Sequence, residues 1–267
     1  MSRSSYRAPA LDKGLDIIEL LALSAEGLTQ AQIANHLNKS VNEIYRMLNT
    51  LKERGYVEFE EKTDQYRLSF KLLSLSATFD PTKSLLEKAT PIMREIAAIT
   101  NQSIHLSIYT AGKLLVVAVC DSGSPFNYHV KIGSTFDLLE TSSGRVLLTF
   151  QSEEERKRRL ERRKVFLKIE KTSRIPPKLL KEMEKKFSKQ SIYKIKRDGC
   201  EIVKSLQIIG ITNISYPVFD HTCYAIAALT TPFLNRLAQK NEINIKETSK
   251  VLDKYSKKLS KDLGYKC

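Results

Sequence analysis

The sequence predicts an α+β chain of two domains, a small helical headpiece ending in a β-hairpin and a larger domain that mixes strands with helices. Its 267 residues exceed one small module and suit two ordinary domains. At 42% hydrophobic and 28% charged, the chain can bury real cores, which excludes wholesale disorder. The first eighty residues read as three helices and a hairpin, whereas the later ones mix strand pairs with flanking helices.

The headpiece begins with Leu11, Leu15, Ile18 and Ala22 at helical spacing, widened by Ile17 and Leu21. After Gly27, Thr29-Gln30-Ala31-Gln32 has the form of a capping box, in which Thr29 and Gln32 satisfy exposed N–H groups at a helix start. This helix ends after Leu37. A second capping box, Ser40-Val41-Asn42-Glu43, opens the next helix, whose inner face is Val41, Ile44, Leu48 and Leu51, joined by Met47. Its outer face carries Asn42, Tyr45, Arg46 and Asn49. Two short capped helices joined by a tight turn have the spacing of a helix-turn-helix. Gly55 ends the third helix, and Val57 and Phe59 alternate with glutamates before Tyr66-Arg67-Leu68 resumes the alternation. That hairpin is the wing of a winged helix.

Such an outer face fits the major groove of duplex DNA. Arg46 can pair with guanine O6 and N7, and Asn42 or Asn49 with adenine N6 and N7. Ser40 and Tyr45 share this exposed side, while Thr29 and Gln30 at the preceding helix start, and Lys62 or Arg67 on the wing, could hold phosphates. Glu43 reads as a cap. The headpiece is nearly neutral, with ten Lys/Arg against eleven Asp/Glu in residues 1–80. Nonspecific affinity comes from neutralised phosphates, so such a head needs dimerisation and paired half-sites. The net charge of +14 arises instead from residues 151–200, with eighteen Lys/Arg against eight Asp/Glu, and Arg156–Arg197 reads as a solvated basic face.

These residues resemble a known family. Leu11-Asp12-Lys13-Gly14-Leu15-Asp16-Ile17-Ile18, Ile44–Leu51, Gly55-Tyr56-Val57 and Tyr66-Arg67-Leu68 are similar to the DNA-binding domain of IclR-type (isocitrate lyase regulator) transcription factors. The linker Lys71–Leu75, the stretch Thr141–Leu148, and Gly210–Pro217 with Ala225–Pro232 continue the likeness. The resemblance implies a winged helix-turn-helix domain over residues 1–69, a linker helix over 70–83, and a GAF-like effector-binding and oligomerisation domain over 84–267. It further implies a dimer or tetramer on a palindromic operator of double-stranded DNA, answering to a small organic effector. Carried over by alignment, the effector-lining positions are Leu139, Ser142, Ser143, Val203, Asn213, Ala228 and Thr230. The acidic residues of many relatives are replaced here by Ile202-Val203-Lys204-Ser205, and Ala228 removes a hydroxyl, so a less polar pocket is expected.

Read without the resemblance, Leu85–Ile99 is a helix that Pro91 should bend or divide. Ile104–Tyr109 and Leu114–Val119 form a hairpin across Ala111-Gly112. Ser143–Phe150, Arg174–Gln190 and Ile245–Leu263 are helices, and Ile211–Val218 pairs with Ala225–Thr231. The start of the Ser142-Ser143-Gly144 helix is an anion site by its N–H groups and dipole, which favours a carboxylate-bearing effector. Ser142 and Ser143 could equally be caps, and His105 reads as structural.

No enzyme is expected. Cys120-Asp121 with His129, and His221 with Cys223, are the suggestive pairs, and Cys223 reads as a buried inert thiol. No phosphate-loop, dinucleotide or zinc-protease motif occurs. Cys120, Cys200, Cys223 and Cys267 lack zinc-ligand spacing, so neither metal nor cofactor is expected and the thiols read as reduced in a cytoplasmic protein. The longest apolar run, Leu114–Cys120, cannot cross a bilayer, and Met1–Ser5 has no secretory signal. The reading is therefore an effector-responsive DNA-binding regulator. The alternative is a DNA-binding scaffold or constitutive repressor whose pocket is no longer used.

Overall fold

The computed structural model describes residues 8–24, 26–78, 82–125, 127–169, 177–236 and 243–266. Met1–Ser5, residues 79–81 of the expected linker, Arg174 and Cys267 lie outside them. The chain divides into two compact units, Met1–Pro81 and Thr82–Cys267.

In the first unit α1 (Pro9–Ala22), α2 (Gln30–Leu37) and α3 (Val41–Glu53) precede a hairpin of β1 (Val57–Glu60) and β2 (Gln65–Leu68), then α4 (Lys71–Thr78). Both capping boxes form, Thr29 with Gln32 and Ser40 with Glu43. Asn38, left-handed at φ 52°, turns the chain between α2 and α3. The core is Ile17, Leu21, Ile33, Ala34, Ile44, Leu48, Val57 and Tyr66. The broad apolar stripe on α1 is thus split: Ile17 and Leu21 are buried, whereas Leu11 and Leu15 are exposed. Gly27 (φ +86°) brings the chain so close to β2 that a Cβ there would stand 2.8 Å from the Tyr66 carbonyl. That approach lets Leu28 exchange backbone hydrogen bonds with Tyr66 at 3.0 and 2.8 Å, tying the head of α2 to the wing.

In the second unit, among the described residues, six antiparallel strands run in the order β5-β4-β3-β8-β7-β6. They are β3 (Ile104–Thr110), β4 (Lys113–Cys120), β5 (Thr135–Asp137), β6 (Glu201–Lys204), β7 (Ile211–Phe219) and β8 (Ala225–Leu234). One sheet face is covered by α5 (Lys83–Thr100) and α10 (Ile245–Asp262) over an apolar core that includes Ile96, Leu106, Ile214, Leu229 and Leu252. The other is covered by α6 (Ser142–Thr149), with α8 (Pro177–Lys186) and α9 (Lys189–Asp198) packed outside it through Met183 and Ile195. Pro91 lies inside a continuous α5; the proline faces solvent, so the carbonyl it leaves without an N–H donor is within reach of water.

Three elements differ from expectation. The helix expected over Arg174–Gln190 gives way at Ser188, whose hydroxyl caps α9. The basic segment contains α7 (Glu153–Ile169), whose exposed cations pair along the helix: Lys157 with Glu153 at 2.8 Å, Arg158 with Glu155 at 2.7 Å and Lys164 with Glu161 at 2.9 Å. Cys120 and Cys200 are free, but Cys223 is disulfide-bonded, against the expectation of reduced thiols. It sits half-buried in the turn before β8 at φ 64°, not inside the strand.

Candidate DNA-binding face and effector cavity

The helix α3 buries Ile44 and Leu48 and turns Asn42, Tyr45 and Arg46 to solvent, with Asn49 half-buried at the edge of the same face. Tyr45 is half exposed. Glu43, three residues before Arg46, could neutralise it on a helix surface. Instead Lys13 of α1 reaches Glu43 at 2.6 Å, while Glu43 also accepts the Ser40 N–H at 3.2 Å and the Ser40 hydroxyl at 3.1 Å. The Lys13 hydrogen bond, then the Ser40 cap, hold its carboxyl down at about 2. Arg46 is left with no ion pair or side-chain hydrogen bond among the described residues, its cation open to an incoming acceptor.

Several expected contacts have structural duties. The Thr29 hydroxyl accepts the Gln32 N–H at 3.3 Å, and Gln30 Nε2 donates to the Val41 carbonyl at 3.0 Å, pinning α2 to α3. Ser40 is the cap of α3. Arg67 donates through Nε to the Glu26 carbonyl at 2.8 Å and through Nη2 to Gln65 at 3.4 Å, leaving part of its fork free. Lys62 is exposed at the wing tip.

In the second unit a small cavity of about 30 Å³ opens between the start of α6 and the sheet. Of the expected effector positions, Ser142, Ser143, Asn213 and Thr230 line it. Leu139 and Ala228 belong to the apolar core, and Val203 sits beside the cavity as the cross-strand partner of Asn213. His105, Tyr128, Ser205 and Gln207 line it without having been expected to. Ser215 was missed too, although it shares a strand face with Asn213, two residues away. It bridges Ser142 at 2.7 Å and Thr230 at 2.8 Å, and Thr230 meets Ser143 at 2.8 Å. Four buried hydroxyls thus form one chain, restoring polarity that Ala228 had removed.

The α6 start is rigidly held. Thr141 caps Gly144 at 3.1 Å. A Cβ at Gly144 would stand 2.2 Å from the Leu138 carbonyl oxygen, so no larger residue fits there without backbone movement. Leu139 is fixed at both ends of its peptide: its N–H donates to Asp137 at 2.8 Å, and its carbonyl accepts from Arg145 Nη1 at 2.7 Å. Arg145 Nε also grips Glu201 at 2.9 Å; burial nonetheless pushes the Glu201 carboxyl up. Asp137 in turn receives the buried Arg163 at 2.6 Å.

The pairs that could suggest catalysis do not assemble a nucleophile. His129 contacts Asp121 at 2.8 Å, both half exposed, while burial raises the Cys120 thiol, opposite to what a reactive cysteine needs. His221 stands 3.7 Å from Asp220 in an exposed turn. Among the described residues no cluster of His, Cys, Asp or Glu could hold a metal ion, and no helix is long and apolar enough to cross a membrane.

Residues 81–261 match the family model of the bacterial transcriptional regulator IclR C-terminal domain, and residues 10–61 that of the IclR helix-turn-helix domain. The chain is 27% identical over 254 residues to the HTH-type transcriptional regulator KdgR of Escherichia coli, covering 95% of this chain and 92% of that one. It is 19% identical over 223 residues to the HTH-type transcriptional repressor AllR of the same species, covering 84% and 79%. Among solved structures, the IclR of Thermotoga maritima superposes with a TM-score of 0.64 at 23% identity, covering 96% and 99%. An IclR homolog of Microbacterium hydrocarbonoxydans, complexed with 4-hydroxybenzoate, superposes at 0.73 with 16% identity, covering 95% and 98%.

Proposed function

The chain belongs to the IclR family of transcriptional regulators, and we propose that it grips a palindromic operator as a dimer and answers to a small carboxylate-bearing effector held at the start of α6. The observation that carries the DNA half is the unpaired Arg46 at the centre of an exposed polar helix face, kept free by the diversion of Glu43 to Lys13. Asn42, Arg46 and Asn49 read base edges; Tyr45, Lys62 and the free part of Arg67 meet phosphates. Dimerisation is supported by apolar surface that the headpiece core leaves uncovered: Leu11 and Leu15 on α1, and Leu72, Leu73 and Leu75 on α4. In the cytoplasm the effector would act by favouring one arrangement of the paired heads over another.

The effector half rests on Ser142, Ser143, Asn213 and Thr230 around an uncharged cavity at a helix N-terminus. The 4-hydroxybenzoate complex of the Microbacterium relative agrees with a carboxylate ligand. The small size of the cavity favours a second reading, a constitutive repressor or scaffold that uses no ligand; about 30 Å³ is far below the volume of an ordinary ligand pocket. Thermal melting against a panel of organic acids separates the two, because a ligand bound only by the folded state raises its Tm. For the DNA half, footprinting on the gene's own upstream DNA should show a symmetric protected site. Arg46→Ala should weaken it about 5- to 150-fold, the equivalent of about 1–3 kcal/mol. Unchanged protection would refute the placement of α3.

A further inference from the structure

We propose that the α6 cavity takes its anionic ligand together with one proton, and that His105 is the residue that carries the proton. The proposal rests on the effector reading above and adds the charge state in which the ligand is bound.

The register of the sheet makes the site. His105 on β3 pairs with Thr230 on β8, and Thr230 with Ser215 on β7, so the three side chains stand in one row across the strands. The helix α6 lies over this row, Ser142 bonded to Ser215 and Ser143 to Thr230. Four hydroxyls joined by three hydrogen bonds leave one proton over. When the chain runs in one direction throughout, either way round, that proton emerges at Ser142 or at Ser143. These are the first two residues of α6, whose backbone N–H groups have no acceptor within the helix, and the Thr141 hydroxyl serves only Gly144. This wall of the cavity therefore presents donors.

At the end of the row stands His105, 7% exposed and lining the cavity, with no hydrogen-bond partner among the described residues. Buried polar groups are almost always partnered, so an imidazole left open to a cavity is placed for something that enters it. No Asp, Glu, Lys or Arg lines the cavity. From β4 its cross-strand partner is Val119, and the other titratable group is the Tyr128 hydroxyl, raised by burial. Arg145 of α6 is turned to Glu201, and Asp137 to Arg163. With no charge to support an imidazolium, burial holds His105 down at about 4, so the empty site is neutral at physiological pH. A carboxylate on the first turn of α6 supplies the missing negative charge in a poorly solvated space and raises the proton affinity of the ring. An uncharged isostere gains nothing from it.

The linkage has a definite sign. Liganded His105 binds its proton more tightly than empty His105, so affinity rises as pH falls between the two pKa values, by up to about tenfold per pH unit. Outside that interval the profile is flat.

The test uses the full-length protein with acetate, lactate, pyruvate and 4-hydroxybenzoate as probes. Thermal shift ranks them, calorimetric titration from pH 5 to 8 gives Kd, and histidine NMR, assigned with His105→Gln, follows the ring. With the tightest acid saturating, the His105 resonance should titrate at least about one and a half pH units higher than in the free protein, which makes the change in Kd between pH 8 and pH 5 about threefold or more. Kd should fall at least threefold toward acid pH, and His105→Gln should flatten that profile. A His105 resonance that ignores a saturating acid, or a pH profile retained by His105→Gln, overturns the proposal. The wild-type NMR titration decides alone if the variant does not fold. Absence of any thermal shift with all four acids at every pH would overturn the effector reading, and this proposal with it.

Discussion

Replacing Arg163 with methionine, which keeps most of the side-chain length and deletes the charge, should destabilise the C-terminal domain by about 3 kcal/mol. The guanidinium is 1% exposed; its Nε donates to Asp137 at 2.6 Å and its Nη1 to Glu184 at 2.8 Å. Breaking a buried ion pair from one side costs about 3–5 kcal/mol, most of it from the charge left behind. Here the stranded partner is Asp137, 4% exposed, whereas Glu184 is 46% exposed and simply returns to water. Asp137 Oδ1 also keeps the N–H groups of Leu139 and Glu140 at 2.8 and 3.2 Å. Those remaining partners place the loss at the low end of the range. In far-UV dichroism the second unit should melt about 6–12 °C lower, at about 2–4 °C per kcal/mol for a domain of this size. Adding Asp137→Asn, which removes the buried charge but keeps an acceptor for both N–H groups, should recover part of the loss. A loss under about 1 kcal/mol, or a double variant no better than the single, would refute the reasoning.

Three further outcomes follow from the same geometry. Glu43 titrates at about 2, chiefly through Lys13, so its contribution to headpiece stability is present above the ordinary 4.5 and lost as pH falls from 4.5 toward 2; Lys13→Met should raise the acid-unfolding midpoint seen by dichroism. Gly144→Ala forces a Cβ into the Leu138 backbone and should cost about 3 kcal/mol in urea unfolding, the upper part of the usual overpacking range. Charge reversal at Lys181, Lys185 and Lys189, exposed on α8 and α9, should leave the salt dependence of operator binding unchanged, because a solvated face releases no counterions on binding. A shallower slope would make those helices part of the DNA contact.

How far the molecule could be read before folding depended on the range over which each residue finds its partner. The capping boxes of Thr29 and Ser40 close within three residues, and the alternation around Val57 and Tyr66 closes within one hairpin, so the headpiece elements were legible. The face of α1 was misjudged because periodicity shows that Leu11 and Leu15 are apolar without showing which side the core occupies. The helix α7 left no stripe to see, since its one buried residue among those described is an arginine, and Arg163 looks in sequence like any cation of a basic run. The edge strands β5 and β6, three and four residues long, carry too few positions for alternation to register.

The sequence by itself determined the local devices: the caps, the polar ridge of α3 and the small residues that open α6. Only the tertiary structure decided what those small residues meet. His105 lines the cavity and Ser215 joins the hydroxyls behind it because β3 and β7 flank β8 in one register, and Arg46 stays free because Lys13 arrives from another helix to take Glu43. The strand pairings join residues far apart in the chain through backbone hydrogen bonds that any sequence can make, and Lys13 meets Glu43 only because α1 packs beside α3. Their outcome is therefore set by how the apolar faces pack, and not by the identity of the polar residues that the packing happens to bring together.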